Sequence, residues 1–557
     1  MWNCRLLQAL VVAWFASLLA GCAQLPPPHA AAPVAVKILA INDFHGNLKP
    51  PPGGIRIKDP ADPDKTVAVP AGGAEFIATA VAELRSKNPN HVFVAAGDLI
   101  GATPLLSALF RDEPTIESLS LMGLEVSAVG NHEFDRGAAE LLRMQRGGCH
   151  PEDGCKGPRP FGGAAFQYLA ASTIDERTGR TVLPAYHVKR FGGIPVAFIG
   201  LTLRDTPTIV VPSGVAGLAF RDEAQTVNEL VPALRRQGIE AIVVLIHEGG
   251  FPSGDYNECP GISGPIVGIV KKLDRAIDLV ISGHTHRAYN CVIDGRLVTS
   301  ADKYGTIVTE IDLALDPRSG DVVSAKADNL IVRNDRFAKD PAQTRLIAAY
   351  ERLAAPLGQR VVGRLSAPLS REETPAGEMP LGQVIADAQL AATRAAADGS
   401  AQIALMNPGG IRAALQPAGD GSVRYEALFA VQPFYNNLVT LTLSGAQIVQ
   451  VLEQQWRGQP KPRVLQVSRG FEYAWDNARP VGARVVPDSV TLDGRPLDPL
   501  ASYRVTVNSF LAAGGDNFTV FKEGRDARTG MMDIDAFEAY VAGGLPPASG
   551  PRIRRLN

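Results

Sequence analysis

The chain has 557 residues, a length that predicts two or three domains. Its 55 lysine and arginine residues nearly balance 57 aspartate and glutamate residues, which gives a formal net charge of −2. This balance provides no basic face for a nucleic-acid backbone, so a nucleic-acid polymer is not expected as a partner.

The N-terminus has the features of an export signal. A basic residue precedes an apolar run at 6–20, which is too short to span a bilayer and is followed at once by small residues. The segment Leu19-Ala20-Gly21-Cys22 is similar to a bacterial lipobox, whose cysteine becomes lipidated. We therefore expect a lipoprotein signal peptide over 1–21, and an ordinary secretory signal ending near Ala20 or Ala23 is the alternative.

The segment after the lipobox is rich in proline and alanine. Residues 22–35 include Pro26-Pro27-Pro28, a composition that predicts a stiff tether. No later run is both long and apolar enough to span a bilayer. The sequence therefore predicts an exported protein of the cell envelope that faces the periplasm and touches the membrane only through lipid on Cys22.

Five apolar runs typical of buried strands end in residues that can bind metal ions. The runs lead into Asn-Asp-Phe-His at 42–45, Gly-Asp at 97–98, Gly-Asn-His-Glu-Phe-Asp at 130–135, His247, and Gly-His-Thr-His at 283–286. Ligands collect at the carboxyl ends of strands in open α/β sheets. Carboxylate, amide and imidazole groups suit divalent ions, and two ions about 3.5–4 Å apart form the usual clamp for displacement at phosphorus. Two ions that share one carboxylate need seven ligands, and these motifs supply seven.

The chain contains six cysteines, which we expect to have separate roles. Cys4 would be lost with the signal peptide and Cys22 would carry lipid. Four cysteines would then remain in an exported chain, where disulfides persist. Four cysteines permit three pairings.

Position in the chain favours one of these pairings. Cys149 and Cys155 bracket a short loop and are expected to pair, which leaves Cys259 and Cys291 to brace the segment that carries the last two histidines of the metal motifs. Free buried thiols are one alternative. A zinc site formed by Cys149, His150 and Cys155 is another, although a fourth ligand is not evident.

Between the metal motifs, helix and strand patterns alternate. Residues 223–236 carry apolar side chains at helical spacing, and the apolar run at 193–202 predicts a strand. Residues 296–300 and 306–313 predict two more strands around a loop at 302–305. These alternating elements are typical of an α/β domain.

A capped helix is predicted near the middle of the chain. Asp340 and Pro341 form an N-cap and first turn, and Gly358 is expected to end the helix. Its apolar stripe is predicted to contain Leu346, Tyr350, Leu353 and Leu357. We expect a linker helix over 340–358, and a peripheral helix of the first domain is the alternative.

The second half contains motifs of a different kind. A predicted strand at 403–406 ends in Asn-Pro-Gly-Gly-Ile-Arg at 407–412, where paired glycines allow a ligand close to the backbone and an arginine offers a charged fork. Residues 432–437 contain two adjacent aromatic residues. A predicted strand at 503–507 leads into a glycine- and phenylalanine-rich segment at 508–518. Taken singly, these features are typical of turns and core residues.

The ordered set of motifs resembles two known families. The motifs before residue 330 resemble the calcineurin-like metallophosphoesterases, and those after residue 358 resemble the C-terminal domain of the 5'-nucleotidases. The latter family also includes UDP-sugar hydrolases and 2',3'-cyclic nucleotide phosphodiesterases. The resemblance covers about residues 36–545. It implies an α/β (α+β) protein with a four-layer α/β/β/α sandwich at 36–335, the linker helix at 340–358 and a second α/β substrate-binding domain at 359–557.

The resemblance also implies a two-metal active site. The ions would be zinc, manganese or cobalt. His132 would be the catalytic imidazole, and Asp135 would orient it. The ligands would be Asp43, His45 and His286 for one ion, Asn131, His247 and His284 for the other, and Asp98 as the bridge between them.

For the second domain, the resemblance implies a nucleotide site. The base would lie between two aromatic rings, with a carboxylate at the ribose hydroxyls and an arginine near the sugar and phosphate. The implied residues are Phe434 and Phe510 at the base with Asn407, Asp516 at the ribose, and Gly409, Gly410 and Arg412 along the sugar and phosphate. Stacking on aromatic rings tolerates every base, so it predicts a broad range of nucleotides.

The sequence leaves two features of the substrate site and the metal site undecided. Members of the family often carry an Arg-Glu-x-Asn-x-Gly stretch that opens a helix, whereas this chain has Gly-Glu-Met-Pro-Leu-Gly at 377–382, with Arg371 nearby but offset. This departure weakens the expected grip on a second phosphate. The loop at 302–305 lies beside the metal site in the family, but a simple hairpin turn fits the sequence equally well.

The expected function is metal-dependent hydrolysis of nucleoside 5'-monophosphates by a monomeric, lipid-anchored periplasmic enzyme. Cyclic nucleotides and nucleotide sugars are further candidate substrates. One alternative is a related two-metal hydrolase that cleaves thiosulfate esters from a carrier cysteine. Another is a non-catalytic surface lipoprotein that binds nucleotides.

Overall fold

The computed structural model describes residues 32–459, 461–545 and 550–557. The predicted signal peptide, the lipobox with Cys22, and most of the tether lie outside these described residues. Within the described ranges, none of the helices combines the length and apolar composition that a membrane-spanning helix requires.

The N-terminal half alternates strands and helices. Its strands are β1 Val34–Ile41, β2 Ile55–Asp59, β3 Asp62–Val69, β4 His91–Ala95, β5 Val126–Ala128, β6 Gln167–Leu169, β7 Thr173–Asp175, β8 Arg180–Thr181, β9 Tyr186–Phe191, β10 Ile194–Thr202, β11 Leu218–Phe220, β12 Ala241–His247, β13 Leu279–Ser282, β14 Ala288–Ile293, β15 Arg296–Ala301, β16 Ile307–Leu315 and β17 Val322–Ile331. Its helices are α1 Ala74–Ser86, α2 Leu105–Ala108, α3 Glu113–Leu121, α4 Gly137–Arg146, α5 Thr206–Ile209, α6 Glu223–Arg236 and α7 Pro265–Val270.

Most of these strands form two large sheets. The first sheet has the order β17-β16-β1-β4-β5-β6, and the second has the order β14-β15-β13-β12-β10-β9. The strands β1, β4, β5 and β6 are parallel, as are β10, β12, β13 and β15. Parallel strands are usually covered on both faces, which explains why their sequences are continuous apolar runs.

The two sheets pack face to face between outer helices. On β1, Ile38 and Ala40 belong to a core shared by both sheets, whereas Leu39 and Ile41 face the opposite side, where α1, α3 and α4 pack. The outer face of the second sheet packs against α6 and α7, for example through Val227. This arrangement confirms the predicted four-layer α/β/β/α sandwich.

The second half forms a smaller mixed domain. Its strands are β18 Val361–Arg364, β19 Ile403–Met406, β20 Ser422–Arg424, β21 Asn437–Ser444, β22 Gln466–Val467, β23 Phe471–Asp476, β24 Thr491–Leu492, β25 Arg495–Pro496, β26 Ser502–Asn508, β27 Arg525–Met532 and β28 Ile553–Leu556. A helix α8 at Pro341–Gly358 precedes them, followed by α9 Pro380–Thr393, α10 Tyr425–Val431, α11 Gly445–Glu453, α12 Ser509–Ala512 and α13 Asp533–Ala542. The main sheet has the order β22-β19-β26-β21-β27, and a second sheet has the order β25-β24-β23-β28.

Helix α8 begins where the sequence predicts but buries a different stripe. The Asp340 side chain accepts hydrogen bonds from two backbone N–H groups of the first turn, as expected for an N-cap. Ile347, Tyr350 and Ala354 are buried, whereas Leu353 is 48% exposed, so its predicted place in the stripe is wrong. The predicted stripe also has helical spacing, but the face that meets the protein is rotated toward Ile347 and Ala354.

The contacts of α8 place it on the N-terminal domain. The Tyr350 ring packs against Phe110 at a centroid distance of 4.8 Å, and Ser118 donates a 2.8 Å hydrogen bond to Gln343. The far end of α8 leads directly into β18 of the second domain. The helix therefore connects the halves while packing on the first, and the domain boundaries remain predictions.

Both expected disulfides are present. Cys149 and Cys155 are joined with their Cα atoms 4.7 Å apart, and Cys259 and Cys291 are joined with their Cα atoms 5.2 Å apart. The alternatives of free thiols or a zinc site at Cys149 are therefore wrong. The second disulfide ties the loop before α7 to strand β14, which begins just after the last metal motif at 283–286.

Candidate metal centre and substrate cleft

The metal-binding side chains predicted from sequence converge where the two large sheets meet. Each follows or ends a parallel strand, and the strands come from both sheets, so the side chains meet across the sandwich. The residues are Asp43 and His45 after β1, Asp98 after β4, Asn131 after β5, His247 at the end of β12, and His284 and His286 after β13.

The backbone at these positions is unusual. Asp43, His45, Asp98, His284 and His286 all have positive φ angles, between 44° and 70°. Residues other than glycine rarely adopt this left-handed conformation, which costs about 1–3 kcal/mol at each position. The surrounding fold therefore holds these ligand-type side chains in turns that local sequence preferences do not favour.

The side chains form two overlapping clusters. In the first, His286 Nε2 lies 3.3 Å from Asp43 Oδ1 and 3.1 Å from His45 Nε2. In the second, His247 Nε2 lies 2.9 Å from Asp98 Oδ2, and His284 completes the group. Asp98 Oδ2 also lies 3.7 Å from His45 Nε2, so this carboxylate stands between the clusters.

Several of these atoms fit the requirements of a metal site. Asp43 Oδ1 and Asn131 Oδ1 are buried without a hydrogen-bond partner, a costly arrangement that a bound cation would relieve. The Nδ1 atoms of His45 and His247 contact the carbonyl oxygens of Gly101 and Ala96 at 2.7 and 2.8 Å. These contacts orient both Nε2 atoms toward the clusters, as expected for histidine ligands. The residues therefore fit two divalent ions.

Protonation differs among the histidines. Burial holds the pKa of His45 and His286 well below the usual range, and nearby positive charges, including that of Arg412, add to this effect. Burial and His247 lower the pKa of His284 to about 3. At His247 the Asp98 carboxylate outweighs burial and raises the pKa to about 10. Metal binding at His247 would therefore release a proton, whereas the other three imidazoles are already neutral.

His132 and Asp135 lie together at the edge of the clusters. His132 Nδ1 lies 2.7 Å from Asp135 Oδ2, and the His132 backbone N–H donates a 2.9 Å hydrogen bond to Asp98 Oδ1. Burial lowers the pKa of His132, but the carboxylates of Asp135 and Asp98 outweigh it and raise the pKa overall. The arrangement favours an imidazolium whose Nε2–H is free to donate.

Glu133 is a residue to which the sequence analysis gave no role. Its buried carboxylate accepts backbone hydrogen bonds from Gly130 at 2.6 Å, Leu99 at 2.8 Å and Asp98 at 3.0 Å. Burial, followed by the charge of Asp98, raises the pKa of Glu133 to about 7. Glu133 thus joins the loop after β4 to the loop after β5. In the sequence, its position within the motif at 130–135 was the feature that could have indicated this role.

The loop at 302–305 lies beside the metal centre. The Tyr304 backbone N–H donates a 2.7 Å hydrogen bond to the carbonyl oxygen of Asp43. The Tyr304 ring lies 5.9 Å from the His45 ring and 5.7 Å from the His286 ring, measured between centroids. The hairpin alternative is wrong because β15 and β16, which flank the loop, belong to different sheets.

One cleft of about 580 Å³ joins the metal centre to the second domain. Asp98, Asn131, His132, His284 and His286 line it from the N-terminal side. All the substrate residues implied by the resemblance line its other side: Asn407, Gly409, Gly410, Arg412, Phe434, Phe510 and Asp516.

Contacts across this cleft bring the two domains close. The Phe434 ring stacks on the His132 ring at a centroid distance of 6.0 Å and an interplanar angle of 23°. The Arg412 guanidinium carbon lies 5.9 Å from the centre of the Phe434 ring. Phe434 and Phe510 are both partly buried, and both line the cleft, so their rings can meet a ligand there.

The cleft also contains cations to which the sequence analysis assigned no role. Arg371 reaches it despite its offset position and donates a hydrogen bond to the carbonyl oxygen of Arg412. Lys303, Lys461 and Arg463 also line the cleft. Lys303 belongs to the loop at 302–305, whereas Arg371 and the pair Lys461 and Arg463 lie in two further loops that no motif identifies.

Two family models match the chain. The calcineurin-like phosphoesterase model matches residues 36–288, and the 5'-nucleotidase C-terminal domain model matches residues 361–523. Together they cover both walls of the cleft. Their order along the chain is the order inferred from the motifs.

Several known proteins are similar over most of the chain. Endonuclease YhcR of Bacillus subtilis is 32% identical over 510 residues, which cover 91% of this chain but only 40% of that protein. Cell wall protein Lmo0130 of Listeria monocytogenes is 31% identical, covering 92% of this chain and 67% of that protein.

A solved structure agrees with these relationships. The 5'-nucleotidase precursor from Thermus thermophilus matches with a TM-score of 0.77 and 28% identity, covering 94% of this chain and 99% of that one. Members of the calcineurin-like phosphoesterase family use a two-metal centre, and the clusters described above supply candidate ligands for one. The chain therefore belongs to the 5'-nucleotidase family of calcineurin-like phosphoesterases, a family of phosphoric ester hydrolases.

Proposed function

We propose that this protein hydrolyses nucleoside 5'-monophosphates to nucleoside and inorganic phosphate. The observation that carries the proposal is the single cleft, which is lined by metal-binding side chains on one wall and by Phe434 and Phe510 on the other. A nucleotide has a phosphate at one end and an aromatic base at the other, so it matches both walls.

The first wall would hold two divalent ions. Their ligands would be Asp43, His45 and His286 for one ion, Asn131, His247 and His284 for the other, and Asp98 for both. Such ions polarise phosphoryl oxygens and lower the pKa of a bound water. The proposal is supported by the buried, unpartnered atoms Asp43 Oδ1 and Asn131 Oδ1.

His132 would act on the leaving group. The Asp135 carboxylate accepts a hydrogen bond from His132 Nδ1. The proton on His132 Nε2 is therefore the one that can be transferred to the 5'-oxygen as the phosphorus–oxygen bond breaks. Before transfer, the same N–H would stabilise negative charge on the phosphoryl group. The raised pKa of His132 supports this role, because it favours the protonated imidazole.

The second wall would position the nucleoside. Phe434 and Phe510 would stack on the base with help from Asn407. The Asp516 carboxylate would receive ribose hydroxyl groups. Gly409 and Gly410 have no side chains, so they would allow the sugar and phosphate to approach the backbone closely. The Arg412 guanidinium would bind phosphate oxygens.

Because Phe434 now rests on His132, we propose that the domains move apart to admit substrate and close again around it. Helix α8 packs on the first domain and would remain with it. The change in position would therefore occur near Gln359 and Arg360, between α8 and β18.

A phosphatase assay tests the proposed function. The protein is stripped with chelator, reloaded with zinc, manganese or cobalt, and incubated with adenosine 5'-monophosphate and para-nitrophenyl phosphate. We expect metal-dependent release of phosphate from both substrates. Activity on a thiosulfate ester alone would favour the thiosulfohydrolase alternative, and nucleotide binding without turnover would favour the non-catalytic one. Cyclic nucleotides and a nucleotide sugar complete the substrate panel.

The proposed location rests on the N-terminal motif. We propose that the chain is exported and anchored by lipid on Cys22, facing the periplasm. Support comes from the lipobox-like segment and from both disulfides, which persist in oxidising compartments. The Cys22→Ala variant should leave the membrane fraction or remain unprocessed, whereas unchanged fractionation would argue against the anchor. Sedimentation of the soluble form would test the expected monomer.

A further inference from the structure

The Asp516 carboxylate, proposed above to receive ribose, already has donors on both oxygens. Asn407 Nδ2 donates to Oδ2 at 2.8 Å, and Arg463 Nη1 donates to Oδ1. Gln459 Nε2 also donates to the Asp516 backbone oxygen at 2.7 Å. Asp516 is only 7% exposed. The ribose end of the cleft therefore carries a neutralised ion pair and lacks a free acid.

Arg463 has capacity beyond this pair. Its backbone N–H donates to the Gln455 carbonyl oxygen at 2.9 Å, which fixes the start of the side chain, and one guanidinium nitrogen contacts Asp516. Among the described residues, the other guanidinium N–H groups have no protein acceptor, and the side chain lines the cleft at 18% exposure. A guanidinium has five N–H donors in a planar fork that suits phosphate oxygens.

Further positive charge lies beside Arg463. Lys461 lines the same part of the cleft, and its ammonium lies 5.6 Å from the centre of the Phe251 ring, on the opposite domain. The charged neighbours of Lys461 are Arg463, Arg287 and Arg371, with Glu373 as the acid among them. Even with Arg463 balanced by Asp516, Arg287 and Arg371 outnumber Glu373, so the region around the ammonium is positive.

A ribose with two free hydroxyl groups does not need this positive charge beside it. Two hydroxyl groups are usually bound by one free carboxylate, whereas an arginine beside the ribose is the usual means of accepting a phosphate on it. Asp516 retains lone pairs for one hydroxyl, and Arg463 beside it offers donors for a phosphate on the other ribose oxygen. The arrangement fits a ribose that carries one free hydroxyl and one phosphate.

We propose, on the basis of the function proposed above, that Arg463 and Lys461 bind a second phosphate on the ribose. The preferred substrate class would be nucleoside bisphosphates with phosphates at the 5' and either the 2' or the 3' position. Water attacks the 5'-phosphorus, the bond to the 5'-oxygen breaks, and that oxygen takes a proton. The products are inorganic phosphate and a nucleoside that keeps its 2'- or 3'-phosphate.

The test compares kcat/KM for three substrates of the metal-loaded protein. They are adenosine 5'-monophosphate, adenosine 3',5'-bisphosphate and adenosine 2',5'-bisphosphate, with chromatography to identify the retained phosphate. We expect at least one bisphosphate to exceed the monophosphate by about 10-fold, the effect of one charge-assisted hydrogen bond. The better of the two identifies the position of the second phosphate.

Variants assign the preference to residues. Arg463→Gln should lower the ratio of bisphosphate to monophosphate kcat/KM by about 10-fold. Lys461→Gln should lower this ratio less and provides a second test if Arg463→Gln does not fold. Arg457→Gln is the matched control, because Arg457 is exposed on the preceding segment and is not part of the cleft lining, so this variant should keep the wild-type ratio.

The outcomes separate this inference from the function on which it rests. Efficient hydrolysis of the monophosphate without a preference for either bisphosphate would overturn the inference alone. An equal loss on all three substrates in Arg463→Gln would also overturn it, because Arg463 would then act only by holding Asp516. Cleavage of para-nitrophenyl phosphate with no activity on any nucleotide would reject the proposed function itself.

Discussion

The two walls of the cleft differ in how their residues are held. On the metal side, Asp43, His45 and His247 are fully buried, and several ligand-type residues lie in left-handed turns directly after buried parallel strands. On the nucleoside side, Phe434 and Phe510 belong to a loop and a short helix. One wall is rigidly fixed by the sandwich, and the other is built from the connecting segments of a smaller domain.

The difference matches the chemistry proposed for each wall. Metal ions require ligands fixed to within a few tenths of an ångström, so burial and a defined backbone are useful there. Base stacking tolerates small shifts and different bases, so aromatic rings on connecting segments are sufficient. If this view is right, substitutions on the metal side should affect every substrate, and those on the nucleoside side should affect nucleotides only.

The largest effect is expected for Asp98→Asn. Asp98 belongs to two of the three candidate metal groups, so this change removes the charge that both ions would share. Turnover should fall by more than about 10³-fold on every substrate, with loss of bound metal measured by elemental analysis and an unchanged circular dichroism spectrum. Asp335→Asn, at an exposed acid, is the control. Two equivalents of metal and a near-normal rate would disprove the ligand assignment.

His132→Ala tests whether the metal side separates binding from proton transfer. We expect kcat to fall by about 10²–10⁴-fold while the metal content stays the same, because His132 is proposed as an acid and not as a ligand. The experiment can separate the two roles, because His132 lies close enough to His45 and Asp98 to bind a metal ion together with them. Metal loss in step with the rate would make His132 a ligand.

Phe510→Ala tests the nucleoside side. Losing one stacking surface costs about 1–3 kcal/mol, or roughly 5- to 150-fold in kcat/KM for adenosine 5'-monophosphate. Hydrolysis of para-nitrophenyl phosphate should hardly change, because that substrate needs only the metal side. Phe510 also packs on the domain core, so an equal loss on both substrates would show that its role is structural.

Glu133→Gln tests whether the Glu133 carboxylate positions the two loops that carry candidate metal ligands. An amide offers one acceptor oxygen and an NH₂ group that meets the backbone donors now bound by the carboxylate. We expect metal affinity to fall by about 10- to 100-fold, as for other groups that orient ligands, with activity recovered at higher metal concentration. A normal metal titration combined with a permanent loss of rate would indicate a different role.

The smallest effect at neutral pH is expected for Asp135→Asn. Asp135 is the first of the carboxylates that raise the pKa of His132 against the effect of burial. Without it, His132 loses its proton at lower pH, so the alkaline limb of the kcat profile should move toward lower pH. The profile should be recorded with the same metal loading in both proteins. An unmoved alkaline limb would show that another group controls it.

The sequence predicted much of the metal side, because each candidate ligand ends or follows a recognisable buried strand. The helix at Glu223–Arg236 also has the predicted limits, because its apolar residues recur at helical spacing. The strand at Ile403–Met406 has them because its short apolar run ends at Asn407. Both disulfide pairings followed from spacing and context. These features depend on residues that are neighbours in sequence or on a small number of possible pairings.

Only the tertiary structure decided how separate loops combine. The stacking of Phe434 on His132, the position of Tyr304 beside His45, and the Arg463–Asp516 pair join residues far apart in the chain. No local pattern contains such contacts, because they depend on how distant segments pack within each domain and between the two domains. The burial of α8 shows the same limit: its leucines were visible in the sequence, but which face turned inward depended on the partner surface that the rest of the chain provides.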